Sequence, residues 1–438
     1  MKLSWNIFVL SLILIFRIKA QNFDASLASS LQDKLDSIRG ANNLKGISVS
    51  IIFPGMGFWN GVSGVSHDST PISSDLLFGI GSNTKLFTGV LILKLAENKI
   101  IHLDDSIYRY LQNFNNVNPN ITIRQLLNHT SGLADVNDVV GYSDSILKNP
   151  NRIFKPAEVM TWVGKPLFSP NKGWNYCNTN YILAGMIAES ATGQSFAKLL
   201  RDSILSPLKL NSTFLDVYEN GSNLIAHPWQ SGIDKSLIPR KSINSVAWAA
   251  GAMYATSYDM TNWYYALMNG KVLNKDSFLE LTKFVGTGNY GVGLYSTKIL
   301  ERTVWQHGGT IWGGYNSSMV YDIETGIIIS VLINQLPAQA FQVSTQLLSL
   351  LVQKNILSFN ENIIKENTIS VYPNPTDGIV YFNKPNQTTL KLKVFDLQGQ
   401  LMDETDECVL DLTNYSPGIY LVENHITSGI TNYRLIKK

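Results

Sequence analysis

Ser82-Asn83-Thr84-Lys85 sets an alcohol and an amine three residues apart, directly ahead of the apolar run at residues 86–95. If that run is a helix, positions i and i+3 share one of its faces. The lysine amine can then accept or relay the serine proton, provided burial or a neighbouring cation lowers its pKa. The N-terminus of the helix also favours negative charge developing at the serine. The tetrapeptide alone discriminates poorly, because Ser-x-x-Lys occurs five times, at Ser82, Ser145, Ser169, Ser195 and Ser206. Only at Ser82 does a glycine-bounded, strand-like segment, Phe78-Gly79-Ile80-Gly81, lead into an apolar helix, which is the context this chemistry needs.

Two further motifs can converge on the same serine. Tyr176-Cys177-Asn178 follows a polar stretch and precedes the apolar run beginning at Tyr181. Its phenol and amide, two residues apart on a loop, can point into one cleft. A phenol beside two cations is partly ionised and can act as a base, while the amide can hold a substrate carbonyl or fix the lysine. Tyr218-Glu219-Asn220 has the same spacing, so a loop tyrosine packed on its neighbours is the competing reading. His307-Gly308-Gly309 is the single His-x-Gly among six histidines, and it follows residues 302–306, which read as a strand. Glycines there let a substrate lie against the strand backbone. The Thr310 N–H could pair with that of Ser82 as an oxyanion hole, a donor typically worth about 2.7–4 kcal/mol in the transition state. Taken alone, His307 reads equally as a satisfied core or surface histidine.

Together these motifs resemble the serine β-lactamase and penicillin-binding-protein superfamily, in the branch of class C β-lactamases, D-alanyl-D-alanine carboxypeptidases and related esterases. Tyr-x-Asn and His-Gly-Gly stand where class A relatives carry Ser-Asp-Asn and Lys-Thr-Gly. The tyrosine form points to the class C-like branch, and the histidine form is familiar among its esterases and peptidases. Residues 101–111 are similar to the segment after the nucleophile helix of that family, and residues 121–133, ending His129-Thr130-Ser131-Gly132-Leu133, are a strong family signature. The resemblance spans roughly residues 24–356. It implies Ser82 as nucleophile, Lys85 as its partner base, and Tyr176 as general base in acylation and activator of water in deacylation. It also implies that Asn178 orients substrate or Lys85, that His307 makes a polar or cationic contact near Tyr176, and that Gly309 and Thr310 border the substrate. The reaction would be acyl transfer through a serine ester followed by hydrolysis. No metal or other cofactor is expected, since the histidines are scattered and no Cys-x-x-Cys occurs.

The remainder of the chain frames this domain. At 438 residues two or three units are expected. A net charge of +2 gives no argument for nucleic acid or an anionic membrane as partner. Lys2 precedes an apolar run at residues 7–16, which is too short to span a bilayer comfortably. We read residues 1–20 as a signal peptide, with a membrane anchor as the alternative. No later segment is long and apolar enough for a transmembrane helix. The two cysteines, Cys177 and Cys408, fall in different expected domains, which argues against a disulfide. Residues 358–367 are polar and Asn-rich, like a linker. Beyond them, Tyr372-Pro373-Asn374-Pro375 and Pro417-Gly418-Ile419-Tyr420 lie among alternating apolar runs. Residues 368–438 resemble the C-terminal sorting domain of type IX secretion, which implies the secretion machinery as a partner and a secreted or surface-bound product. A small β-sandwich carbohydrate or adhesion module is the alternative.

Elements able to position the motifs follow from periodicity. Residues 24–38 read as an amphipathic helix, and 47–53 with 58–65 as a hairpin. A helical part follows Ser82, strands return from about residue 290, and a last helix closes the unit. The expected fold is α+β: an antiparallel sheet flanked by helices with a helical lobe over residues 21–357, followed by a small all-β sandwich. The cleft between sheet and lobe would hold Ser82, Tyr176 and His307. The leading expectation is a secreted serine hydrolase of an ester, an amide or a D-amino-acid peptide. A D-alanyl-D-alanine carboxypeptidase, a weak β-lactamase, a non-catalytic binding protein on the same fold, and an adhesin with a passenger domain are the alternatives.

Overall fold

The computed structural model describes residues 23–139, 142–221, 223–354, 356, 370–372, 376–383, 391–396, 399–426 and 429–437. The expected signal peptide and the expected linker lie outside the described residues. The chain divides into two units, Met1–Leu350 and Leu351–Lys438.

The first unit is built on a seven-stranded antiparallel sheet. Its strands run Thr70–Pro71, Gly57–His67, Gly46–Phe53, Ile328–Ile333, Tyr315–Asp322, Arg302–Ile311 and Tyr295–Ile299 across the sheet. The central strands are apolar on both faces, and every residue of Ile328–Ile333 is buried. A strand buried on both faces needs a cover on each side. Register assigns the covers. Ser48 and Ser317 both pair with Leu332 and share one face. On that face Ser48 bonds Ser257 at 2.9 Å, on the helix Ser257–Met268. Ser318 points the other way and accepts from Ser344 at 3.0 Å, on the terminal helix Ala340–Gln353. The helix Ala25–Ala41 starts where Asp24 accepts from the Leu27 N–H, and it buries Leu27, Leu31, Leu35 and Ile38, the spacing legible in the sequence.

The lobe is helical and shares one core with the sheet face beneath it. Three of its helices matter for the site: Thr84–Glu97, Asn178–Thr192 and Arg240–Gly251. The first has eleven buried residues of fourteen, so it runs through the middle of the core rather than along a surface. The third is kinked, with Trp248 at φ 35° and ψ −119°. Differences from expectation are local. The late strands number four rather than three, because Tyr295–Ile299 is a separate edge strand. Two small sheets were not anticipated, one joining Phe78–Gly79, Met253–Ala255 and Thr213–Leu215. Strands of two or three residues carry no period-two signal. No helix among the described residues is long and apolar enough to cross a membrane.

The second unit is all-β among its described residues from Ser370 onward, with a three-stranded and a four-stranded antiparallel sheet. Val380, Phe382 and Leu410 from the first meet Leu392, Val394, Val422 and Leu435 from the second in a separate core.

Backbone geometry yields a paired prediction. Gly81 has φ +52°, and a Cβ there would lie 2.5 Å from the Thr310 nitrogen. Gly40, exposed in the first helix, would meet nothing within 4 Å. Gly81→Ala is expected to cost about 1–3 kcal/mol, and Gly40→Ala to add about 0.4–1 kcal/mol. Urea unfolding of the two variants beside wild type measures both.

Candidate active site

Ser82 sits in a single 3-10 turn, Gly81–Asn83, that runs into the helix Thr84–Glu97. The turn is tied down from three sides. Ile80 donates its N–H to the Met253 carbonyl at 3.0 Å. Ser317 donates its hydroxyl to the Ile80 carbonyl at 2.7 Å and accepts from Asn83 Nδ2 at 2.9 Å. The strand Arg302–Ile311 presses against the same backbone, and a Cβ on Gly309 would fall 1.9 Å from the Ile80 oxygen. Gly309 is therefore required by the fit of strand to turn, a tighter constraint than the substrate approach expected from the sequence. The Thr310 nitrogen lies against Gly81, the residue next in the chain to the Ser82 amide. Two backbone donors so arranged can stabilise an oxyanion.

Lys85 lies one turn along the helix and is fully buried. Its Nζ is 2.9 Å from Ser82 Oγ, 2.6 Å from Asn178 Oδ1 and 2.8 Å from the Ala250 carbonyl oxygen. Burial lowers its pKa to about 7 against a smaller opposing pull from Asp135. The kink at Trp248 accounts for the third contact. It leaves two carbonyls facing the helix Thr84–Glu97, and Ala249 accepts from Thr88 Oγ1 at 2.6 Å while Ala250 accepts from Lys85. Buried carbonyls released from a helical ladder need such partners.

Tyr176 is half-buried, and Lys85 Nζ lies 4.9 Å from its ring centroid. Its shielded hydroxyl meets no partner in ordinary hydrogen-bond geometry. Burial raises its pKa well above the usual phenol value, and the pull of nearby Ser82 offsets only part of this. The histidine expected as a second cation beside this phenol is held neutral. His307 is buried and pushed down to about 3, first by burial and then by the Lys85 charge. Its Nδ1–H donates to the Gly308 carbonyl at 2.5 Å, and its Nε2 accepts from Tyr290 Oη at 3.1 Å. His307 is thus a neutral wall of the site rather than a cationic contact. Asn178 opens the helix Asn178–Thr192 instead of preceding it on a loop. Cys177 is buried, with its thiol pushed up to about 12 by burial and its Sγ directed to the Ala134 carbonyl.

All seven candidate residues gather around one cleft. Ser82, Asn178 and Thr310 line it together with apolar Ile182, Val246 and Trp312, and its volume is about 330 Å³. Lys85, Tyr176, His307 and Gly309 stand behind or beside these. Two residues escaped the motif reading. His129 is buried, and its Nδ1 accepts from the Cys177 N–H at 3.2 Å and Asn180 Nδ2 at 2.9 Å, which clamps the tyrosine segment. Asp135 accepts from the Asn178 N–H at 2.6 Å and from Nδ2 at 2.8 Å. The signature at residues 121–133 contains the first and stops two residues short of the second.

A lysine depressed to about 7 couples stability to pH. The unfolded lysine holds its proton to above pH 10, so between 7 and 10 the unfolded state binds more protons and stability rises with pH. The penalty of burying the ammonium is full below pH 7. Lys85→Met should therefore compare best with wild type at pH 6. Its relative stability should then fall by up to about 1.4 kcal/mol per pH unit between 7 and 10. Calorimetric melts of both proteins across that range test the sign.

Comparison with known proteins finds relatives that share the fold of the first unit. A structure of a D-stereospecific amidohydrolase from Streptomyces sp. matches with TM-score 0.65 and 27% identity, over 72% of this chain and 97% of that one. The D-amino acid amidase from Ochrobactrum anthropi SV3, complexed with L-phenylalanine, matches with TM-score 0.68 and 25% identity, over 76% of this chain and 100% of that one. Protein flp of Staphylococcus aureus (strain MRSA252) is 28% identical over 303 residues, 65% of this chain. The match spans 59% of that protein's own length. The model of the secretion system C-terminal sorting domain covers residues 370–438, which indicates secretion or display at the cell surface. The β-lactamase family model covers residues 31–353, and with the Ser82–Lys85 turn, the fold and these relatives in agreement, the chain belongs to the β-lactamase family.

Proposed function

We propose that this chain is a serine amidohydrolase that forms an acyl-enzyme at Ser82 and acts on amides or short peptides of D-amino acids. The observation that carries the chemistry is the surroundings of Lys85 Nζ. A neutral amine has two N–H bonds and one lone pair. Two of its three close neighbours, Asn178 Oδ1 and the Ala250 carbonyl, can only accept. They take both N–H bonds, and the lone pair is left facing Ser82 Oγ at 2.9 Å. With a pKa near 7, Lys85 is neutral in a large share of molecules at neutral pH.

In acylation Ser82 Oγ bonds to the substrate carbonyl carbon while its proton passes to Lys85 Nζ. The resulting oxyanion is met by the backbone N–H groups of Ser82 and Thr310. Collapse breaks the bond to the leaving nitrogen, which receives the proton through the Tyr176 hydroxyl. Water then attacks the ester carbon, a proton passes from it to Ser82 Oγ as the ester C–O bond breaks, and the carboxylic acid leaves with Ser82 restored as an alcohol. The raised pKa of Tyr176 favours a neutral phenol that hands on protons. It weighs against the role of general base in acylation that the resemblance suggested. The Tyr176 hydroxyl, beside Ser82, is placed to meet the leaving group or the water.

One comparison supports the D-amino-acid class over esters. The solved neighbours at 25–27% identity are an amidase and an amidohydrolase of D-configured substrates. A chain exported beyond the outer membrane also meets little peptidoglycan, which counts against a D-alanyl-D-alanine carboxypeptidase. The apolar part of the mixed lining, with Ile182, Val246 and Trp312, suits a substrate with an apolar side chain.

The test is intact-mass detection of a fluorophosphonate adduct on the full chain, followed by turnover of D- and L-phenylalanine amide and benzylpenicillin. Wild type should label and Ser82→Ala should not. Lys85→Ala should label at least 100-fold more slowly, a loss on the order of that for removing a catalytic base. The labelling rate should rise with pH through about 7 as Lys85 loses its proton. The D-amide should turn over and the L-amide should not. Drug loss without amide turnover would instead indicate a β-lactamase. A wild type that never labels would leave a binding protein on this fold.

A further inference from the structure

We infer that Asp135 is a positioning residue, one that decides which end of the Asn178 side-chain amide faces Lys85. The inference rests on the role proposed for Lys85. An asparagine amide has a donor end and an acceptor end of nearly the same shape, so a pocket must choose between them. Asp135 makes that choice because its carboxylate can only accept. Its Oδ2 takes both the backbone N–H of Asn178 at 2.6 Å and the side-chain Nδ2 at 2.8 Å. With Nδ2 held there, Oδ1 must turn to Lys85, where it lies 2.6 Å from Nζ. The opposite amide orientation would aim N–H donors at Lys85 and compete with Ser82 for the lone pair.

Asp135 is itself fixed. Its Oδ1 accepts from the Asn137 N–H at 2.9 Å, at the start of the 3-10 turn Val136–Asp138, and the residue is 8% exposed. That turn is anchored to the helix Asn178–Thr192, since Val136 donates its N–H to Thr179 Oγ1 at 3.0 Å. The carboxylate therefore cannot swing away without breaking three hydrogen bonds. It is also the charge that acts on Lys85 most favourably. The other titratable groups facing Lys85 are Tyr176, Cys177, Tyr181, His129 and His307. Burial holds both histidines neutral, and it raises the thiol and the two phenols far enough to keep them uncharged at neutral pH. Asp135 thus orients the amide and supplies the negative charge that favours the ammonium.

The experiment uses the full chain with ε-13C-lysine, so that the titration of Lys85 is read by NMR independently of activity. Fluorophosphonate labelling rates are measured on the same samples from pH 5 to 9. In Asp135→Asn the Lys85 midpoint should fall by about one pH unit, the effect of deleting an opposite charge a few ångströms away. Labelling at its plateau should slow on the order of tenfold or more, because the amide is no longer held. Asp135→Glu keeps the charge, so the midpoint should stay within a few tenths of a unit while the rate drops. If Asp135 acts through the amide, removing it from Asn178→Ala should slow labelling no further, since effects within one network are not additive. An unchanged midpoint and rate in Asp135→Asn overturns the inference. So does an equal midpoint shift in Asp135→Glu, or a fully additive rate loss in the double variant. If Asp135→Asn does not fold, Asp135→Glu in the Asn178→Ala background gives the same comparison. A midpoint that moves as expected in a protein that never labels would uphold the inference and refute the function proposed for Ser82.

Discussion

The site depends on an amine held away from water without a counter-ion in contact. Lys85 is fully buried, and its nearest neighbours are a hydroxyl and two oxygens of neutral amide groups. Neutral acceptors satisfy N–H bonds but compensate a full charge poorly. The result is a lysine poised near neutrality, with Asp135 behind Asn178 preventing a deeper fall. A carboxylate in direct contact would have held the ammonium charged.

Three separated stretches supply those neighbours, and each depends on a local peculiarity. The turn at Ser82 needs a glycine at 81, because its backbone is left-handed and lies against the Thr310 nitrogen. Ala250 can offer its oxygen because the helix breaks at Trp248, whose φ of 35° is unusual for a bulky residue. The kink fits into a notch on the neighbouring helix at Gly185, where a Cβ would meet Ala249 and Trp248 within 3 Å. Strain at Trp248 is thus held in place by packing, and what it yields is a pair of inward carbonyls. The third stretch, Tyr176-Cys177-Asn178, is clamped from behind by His129 and Asp135.

The sheet and the lobe divide the work. The sheet provides a stiff strand, Arg302–Ile311, whose backbone faces the turn. The lobe provides the side chains of Lys85, Tyr176 and Asn178. Ser317 joins the two, with one hydroxyl bonded to both the Ile80 carbonyl and the Asn83 amide. Small displacements of turn against strand would change the spacing of the two backbone donors, so this one hydroxyl has consequences beyond its size.

Much of this was legible in the chain itself. The i and i+3 spacing of Ser82 and Lys85 was sufficient to place both on one helix face, since that follows from helical geometry alone. The long strands and the helix beginning at Ala25 were legible from their periodicity, and the sorting domain from its turn-rich motifs. What the sequence could not decide was the electrical state of the groups. A tyrosine beside a lysine and a histidine looks like a phenol between two cations. The folded site makes the histidine neutral and the phenol harder to ionise, because burial dominates both and depends on which side chains pack around them. The kink at Trp248 and the hold of Asp135 on Asn178 were equally out of reach. They join residues 43 to 165 positions apart, and such pairings are decided by tertiary packing rather than by any local pattern. Local rules determined which residues could do the chemistry, and desolvation in the folded core decided which of them would carry charge.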